Sequence, residues 1–518
     1  MINNSLLKKT LVIEIILLFI VLLVSPMVIG DNIRIKDETQ VTILEDPPGI
    51  EWSRIYGGHG VDWGNSARQT KDGGYIIVGE TMSYSPDGYE AAWLIKTDII
   101  GNIEWYNTYG EDGPLNIDVA YSVEQTNDGG YIFTGNTLSY GAIGSDIWLV
   151  KTDNVGNEEW NNIYGGKGRD HGYQVLQADD GGYVAAGYTD SYGAGSQDFC
   201  LLKTDSNGNE EWYRTFGGVE SDMAWSVDMT DDCGYILTGR TYSYGSGNSN
   251  LWLVKTDSNG IEEWNRTYGS VGADANGNSV QQTSDGGYIV TGGKSMGGQG
   301  YTVPLLKTDR NGSMVWNRTF FEPQKGVTPF AEEIQQTNDG GYIIVGGING
   351  INYDDAFLIK TDANGSKEWE IKFEEDYYKC LNSVQQTRDG GYIAGGRRYP
   401  DRPREFYSDF WLVKVGHVPD IEVTKPENAI YLFNQMRRSF FWPLIIGPID
   451  VEVDASDDEY DIEKVQFYVD DVYQANDTSE PYSWKWNKLM FFKHRLKVVV
   501  FNTNGNVGVE EIVVSKFF

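Results

Sequence analysis

The stretch EWSRIYGG, Glu51 to Gly58, is the first of seven near-copies. It returns as EWYNTYG, EWNNIYGG, EWYRTFGG and so on, with tryptophans at Trp52, Trp105, Trp160, Trp212, Trp264, Trp316 and Trp369. Two other elements keep the same period. An Asp-Gly-Gly-Tyr turn carries its tyrosine at Tyr75, Tyr131, Tyr183, Tyr235, Tyr288, Tyr342 and Tyr392, with Cys233 replacing the first glycine in one copy. A strand such as WLIKTD begins at Trp93, Trp148, Cys200, Trp252, Pro304, Phe357 and Trp411. Self-similarity at roughly 50 residues marks a repeat architecture in which each unit is one supersecondary element.

Each unit reads as four short strands. Strand a, such as SVQQT, runs into the Asp-Gly-Gly turn, where glycine supplies the positive φ of a tight hairpin. Strand b, such as YIIVGGI, and strand c, such as WLIKTD, are apolar on both faces, as in a sheet covered on both sides. A DxxGN turn then leads into strand d, EWxxTYG. Four-stranded units of this length, stacked face to face, are the blades of a propeller. The chain ends separate a ring from an open stack. The first element is a lone strand d at Glu51 to Gly58, and the last unit lacks a strand d after WLVKVG. Pairing the orphan strand with the last unit leaves no unmatched sheet edge. The expectation is an all-β chain with a seven-bladed β-propeller over 51–416, closed by its N-terminal strand.

The c–d hairpins read Asp98…Gly101…Trp105, and the spacing returns at Asp153…Gly156…Trp160, Asp205…Gly208…Trp212, Asp257…Gly260…Trp264, Asp309…Gly312…Trp316 and Asp362…Gly365…Trp369. This resembles the repeat of quinoprotein-like (PQQ-type) propellers, except that the threonine before glycine is missing. The whole unit is more similar to the DGGY…LLKTDxxGNxxW repeats of secreted archaeal and bacterial cell-surface propellers, most of which lack a defined activity. The resemblance covers Glu51 to Gly416. The Asp-Gly-Trp turns pin adjacent strands, so a quinone cofactor is not carried over, and the expected cofactor is none.

The two ends of the chain differ from the repeat. MINNSLLKKT holds Lys8 and Lys9 and is followed by LVIEIILLFIVLLVSPMVIG, apolar apart from Glu14 and broken by Pro26. Residues 1–30 read as a signal peptide, with Val28 and Gly30 before the cut, or as a retained N-terminal membrane anchor. Lys8 and Lys9 favour the inside, so in both cases the rest of the chain is exported. Residues 31–50 read as a linker. After Pro419 the repeat stops, and short alternating strands predict an Ig-like β-sandwich over 419–518. Here VQFYVDDVYQANDTSEPYSWKWN and RLKVVVFNTNGNVGVEEIVV resemble bacterial and archaeal Ig-like surface modules. The insert FNQMRRSFFWPLIIGP sets Arg437 and Arg438 before Phe, Trp and Ile. It reads as packing against the repeats or an inter-sheet loop, or as a partner- or membrane-contact patch.

Composition excludes several functions. Seventy-five acidic residues against 41 basic ones leave a net charge of −34, a surface that repels phosphate backbones, so no nucleic-acid partner is expected. Cys200, Cys233 and Cys380 share no motif, and the four histidines are scattered; no metal is expected. DSNGN at Asp205 to Asn209 lacks the later glutamate of a calcium loop and reads as an Asx turn. No Ser/His/Asp grouping or metalloprotease motif is present, so no catalytic residue is assigned.

One pattern points to a ligand. Tyr84, Tyr140, Tyr192 and Tyr244 recur in the b–c loops of the first four repeats, and Asp62, Asp118, Asp170 and Asp222 recur in their d–a loops. Antiparallel strands bring both loop sets to one face. The fifth repeat keeps Asp274 but has Gly297 at the tyrosine position, and the last two lose both. Such a half-ring predicts binding of a glycan or peptide; the competing reading is that Asp caps the loop while Tyr packs on a neighbour. Sequons at Asn265, Asn311, Asn317, Asn364 and Asn476 mark glycosylation acceptors of an exported chain. The function expected is a non-catalytic, exported cell-surface platform for binding or adhesion, with an envelope glycan or surface protein as partner. The alternative is a secreted propeller hydrolase or lyase acting on glycans.

Overall fold

In the computed structural model the described residues are 40–41 and 47–518, apart from 87, 112, 114–115, 141, 143, 247, 351–353, 375–377, 400–406, 417, 458–459 and 518. The N-terminal segment 1–30 lies outside them. Among the described residues no helix is long and apolar enough to cross a membrane.

Seven antiparallel sheets span 49–416, each pairing four strands in the order a–b–c–d. In the first sheet these are Asp62–Gln69, Tyr75–Thr81, Ala91–Thr97 and Ile103–Tyr109. Strand b is buried along its whole length there, as are strands b and c of the second and third sheets. Strand d is exposed at its start, mostly half-buried further on, and buried at its last residue. The seventh sheet takes its strand d from the chain start: Gly49–Tyr56 pairs with Asp409–Gly416, from Gly49↔Gly416 to Tyr56↔Phe410. Within the expected linker, Gln40–Val41 adds a fifth strand to the sixth sheet.

The expectation of a closed seven-bladed β-propeller is corrected by this topology. Among the described residues the strands fall into separate sheets, one of them five-stranded, and nothing longer than an isolated bridge joins one sheet to the next, so no closed sheet is formed. The burial pattern gives the reason. Strands b and c bury both faces, so neighbouring sheets meet by side-chain packing and leave their edges unshared. The links between sheets include single backbone pairs, such as Asp222 N–H to Gln197 O at 2.7 Å, and side-chain-to-backbone bonds. Ala67 N–H donates to Ser383 Oγ at 2.9 Å, Asn382 Nδ2 to Gly64 O at 2.9 Å, and Val280 N–H to Ser226 Oγ at 3.1 Å. Counting repeats shows which strands pair inside a sheet; it does not show how sheets join.

The recurring turns have electrostatic work. The strand-c lysine is buried and bridges the Asp of the Asp-Gly-Gly turn and a strand-d Glu. Lys203 Nζ lies 2.8 Å from Asp180 and 3.0 Å from Glu211. In the seventh sheet Lys414 holds Asp389 at 2.9 Å and Glu51, from the N-terminal strand, at 2.6 Å. The c–d glycines lie under a tryptophan of the preceding sheet: a Cβ at Gly101 would meet the Trp52 ring at 2.8 Å.

The C-terminal module is two packed sheets. A three-stranded sheet (Asp420–Lys425, Ile449–Ser456, Tyr482–Trp486) faces a seven-stranded one. Their shared core includes Val423, Tyr431, Val451, Phe467, Trp486 and Val498. The module rests on the hairpin end of the repeats. Ile100 of the first c–d turn packs with Val499, Phe501 and Val507. Glu51 accepts from Val507 N–H at 3.1 Å, and Asn504 Nδ2 donates to Asp389 O at 2.9 Å. The insert 433–448 instead supplies the edge strand Gln435–Ser439 of the seven-stranded sheet and an inner strand, Leu444–Ile446.

Candidate functional site

The structure brings the aspartates and tyrosines of the first four repeats to one face, with different roles. The four carboxylates are buried. Asp62 accepts from Gly58 N–H at 2.9 Å, from Ser83 Oγ at 2.5 Å and from Thr81 Oγ1. Asp118 accepts from Ser139 Oγ at 2.7 Å, Asp170 from Ser191 Oγ at 2.6 Å and Asp222 from Gly218 N–H at 2.8 Å. Each ties its d–a loop to the following b–c loop. The tyrosines face outward on a stack. Tyr84 donates to Gly57 O and lies 5.0 Å from the Trp93 ring; Tyr192 donates to Gly165 O beside Tyr213, and Tyr244 to Gly217 O beside Trp252. These three are exposed, while Tyr140 is half-buried against Trp148. A ligand on this face meets tyrosine edges, not the carboxylates. Of the sequon asparagines, Asn265, Asn311, Asn317 and Asn364 are exposed and Asn476 is half-buried.

A second constellation lies inward, along strand a. In every sheet the a–b register slips once, between Gly64/Ser66, Ala120/Ser122, Gly172/Gln174, Ala224/Ser226, Gly277/Ser279, Ala331/Glu333 and Leu381/Ser383. A bulge of this kind re-aims one side chain. The skipped residues are Asn65, Tyr121, Tyr173, Trp225, Asn278, Glu332 and Asn382, and all seven line a cavity of about 90 Å³. Below it, toward the hairpin turns, a second cavity of about 420 Å³ shares Arg68, Gln174, Ser279 and Glu333, so the two adjoin as a channel lined by the a strands.

The bulge residues divide by role. Asn65, Asn278 and Asn382 are spent on the scaffold, each donating to a backbone carbonyl of the next sheet at 2.8 to 2.9 Å. Tyr121, Tyr173 and Trp225 replace that staple with aromatic surface. The Tyr121 and Tyr173 rings lie 4.9 Å apart; Tyr173 continues to Tyr188, which stacks on His171 at 4.9 Å. Arg240 lies over Trp225 at 5.3 Å. Opposite in the repeat order, Arg397 lies over Trp63 and Tyr378 and donates to Tyr378 Oη at 2.6 Å. The Nε atoms of Arg240 and Arg397 are buried without a hydrogen-bond partner. Cation–π contact holds both guanidiniums in place and leaves N–H groups unused.

The charges at this mouth are tuned by burial. Burial pushes Glu80 and Glu332 up to about 7; Glu90 adds to the rise at Glu80, and Arg397 opposes it at both. His171 is pushed down to about 4 by burial and by Arg169, so it is neutral at pH 7. Deeper, Arg68 crosses between sheets to Glu333 at 2.5 Å. Burial raises Glu124 to about 7 and Asp228 to about 6. The rim was visible in the sequence; this channel set was not. Its signal is the position ten residues before the strand-b tyrosine, which changes from Asn to Tyr, Trp or Glu while the residue after it is serine in five of the seven repeats.

Comparison with known proteins informs the C-terminal module. Residues 444–512 match the bacterial Ig domain family. No curated protein sequence matches the chain. Among solved structures, an extracellular domain from B. thetaiotaomicron aligns with 8% identity over 91% of this chain and 60% of its own length, at a TM-score of 0.43. An ancestral GH74 enzyme aligns with 10% identity over 88% of this chain and 63% of its own, at 0.41. The fibronectin(III)-like modules of Clostridium thermocellum CbhA align with 17% identity over 19% of this chain and 100% of theirs, at 0.16.

Proposed function

We propose that the chain is an exported cell-surface protein whose repeat region binds an envelope glycan without transforming it, at the channel mouth and the tyrosine rim beside it. The observation that carries this reading is the break in the bulge series. Tyr121, Tyr173 and Trp225 stand together where the first, fifth and seventh repeats keep a stapling asparagine, and Arg240, over Trp225, and Arg397, over Trp63, keep unused N–H groups. Flat aromatic faces stack on sugar rings, and fixed polar groups select among them. The apolar N-terminal run and the bacterial Ig match at 444–512 accord with a surface location. Trp225→Ala and Tyr173→Ala should each lose at least tenfold in binding on an array of envelope glycans and peptides. Tyr140→Ala and Tyr192→Ala test the outer rim in the same assay. Wild-type levels in all four variants contradict the reading.

A second reading rests on Glu80 and Glu332. A carboxyl held near neutrality is suited to general acid chemistry, and Arg397 acts on both. A hydrolase or lyase would release new sugar ends from an envelope polysaccharide, and Glu332→Gln would abolish that release. Absence of released ends with wild-type protein leaves the binding reading alone.

A further inference from the structure

The outermost strand of the C-terminal seven-stranded sheet, Gln435–Ser439, exposes all five of its side chains. Neither of its faces packs on protein. The turn that opens this hairpin carries Phe433, 71% exposed, and the segment beyond it carries Phe441, 85% exposed, with Trp442 beside it. Strand register sets more aromatics at the same end of the sheet. Ile446 pairs with Phe517, and Phe517 with Phe491; Phe433 N–H donates to Ile446 O. Phe491 and the 70% exposed Phe492 therefore share the Phe433 end.

Charge marks what this edge fits. In a chain of net charge −34, Arg437 and Arg438 lie between the two aromatic ends, and exposed Lys488 and Lys493 flank Phe491 and Phe492. Two nearby acids are already engaged: Asp450 with Asn434, and Asp470 with His494 and Arg495 N–H. We infer that this edge docks on an anionic lipid surface, the phenylalanines and Trp442 entering the headgroup boundary and the cations meeting lipid phosphate. Exposed Phe and Trp with interleaved Arg and Lys have the composition of interfacial anchors. Edge pairing with a second copy is disfavoured, because antiparallel pairing of this strand sets arginine against arginine. A soluble acidic partner uses the cations but leaves five large apolar side chains in water.

Hydrogen–deuterium exchange on the full chain reads this edge independently of the N-terminal run. Vesicles of phosphatidylglycerol should slow exchange of residues 433–442 and 489–493, and phosphatidylcholine vesicles should not. Each basic residue at an anionic surface contributes about 1 kcal/mol, so the pair Arg437→Gln and Arg438→Gln should reduce that protection about 30-fold. The pair Phe441→Ser and Phe492→Ser should also reduce it while leaving exchange in the repeat sheets unchanged. Equal protection by both lipids, or by neither, overturns the proposal. Protection that appears without vesicles and grows with protein concentration assigns the edge to a second copy and overturns it as well.

Discussion

The hairpin end and the mouth of the channel are made by the same seven repeats and treat sequence change differently. At the hairpin end the Asp-Gly-Gly turn, the strand-c lysine and its acidic partners recur: Lys96, Lys151, Lys203, Lys255, Lys307, Lys360 and Lys414 each meet the turn aspartate within 2.9 Å. At the mouth, positions equivalent in the repeat hold asparagine, tyrosine, tryptophan or glutamate. A position that every sheet needs for the same bond cannot drift. A position whose bond is replaceable by its neighbours is open to a ligand.

The largest expected effect breaks the hairpin end at Lys414. Its partners Glu51 and Asp389 are themselves buried, so Lys414→Met strands buried carboxylates and should cost about 3–5 kcal/mol by denaturant unfolding. Lys203→Met should cost much less, because Asp180 and Glu211 reach solvent. Equal costs would remove burial as the cause.

Gly74→Ala comes next. A Cβ there meets Thr97 O at 2.1 Å, an overpacking worth about 1–3 kcal/mol.

pH dependence sharpens the comparison. Glu51, Glu80, Glu124 and Glu332 are raised by burial to about 7, from 4.5. The folded state then binds more protons than the unfolded state between these values, so stability rises as pH falls through that window. The turn aspartates act oppositely. Partial burial at Asp128, Asp232 and Asp285 is outweighed by hydrogen bonds from the adjacent threonine and the buried lysine, which hold them at about 2. Their contribution is lost as pH falls below about 4. The melting temperature should peak near pH 5, and a steady rise from pH 5 to 8 would contradict this.

The smallest effect is a gain. Cys233 holds φ 63 where the other turns place glycine at φ 80 to 92. Cys233→Gly should stabilise by about 1 kcal/mol, seen as a higher melting temperature.

Much of this contrast was legible in the sequence, and the remainder was hidden for identifiable reasons. Consecutive Ile, Val and Leu in strands b and c announced sheets buried on both faces, and the lone EWSRIYGG announced a strand that pairs with Asp409–Gly416. The joining of sheets was misread as closure, because strand counts carry no information about side-chain links such as Asn382 to Gly64. The sequence left open whether the rim aspartates face a ligand or cap their loops; their burial depends on serine and threonine hydroxyls some twenty residues on, such as Thr81 and Ser83 at Asp62. The channel residues Tyr121, Tyr173 and Trp225 read as ordinary strand positions, since a bulge leaves no mark in the alternation.

The most direct measurement restores the repeat at the mouth. The triple variant Tyr121→Asn, Tyr173→Asn and Trp225→Asn gives three divergent positions the asparagine found in the first, fifth and seventh repeats. Its melting temperature and its binding to an envelope-glycan array are measured beside wild type. The account predicts an unchanged or higher melting temperature with binding lost. Retained binding, or a fold that collapses with the substitution, would contradict it.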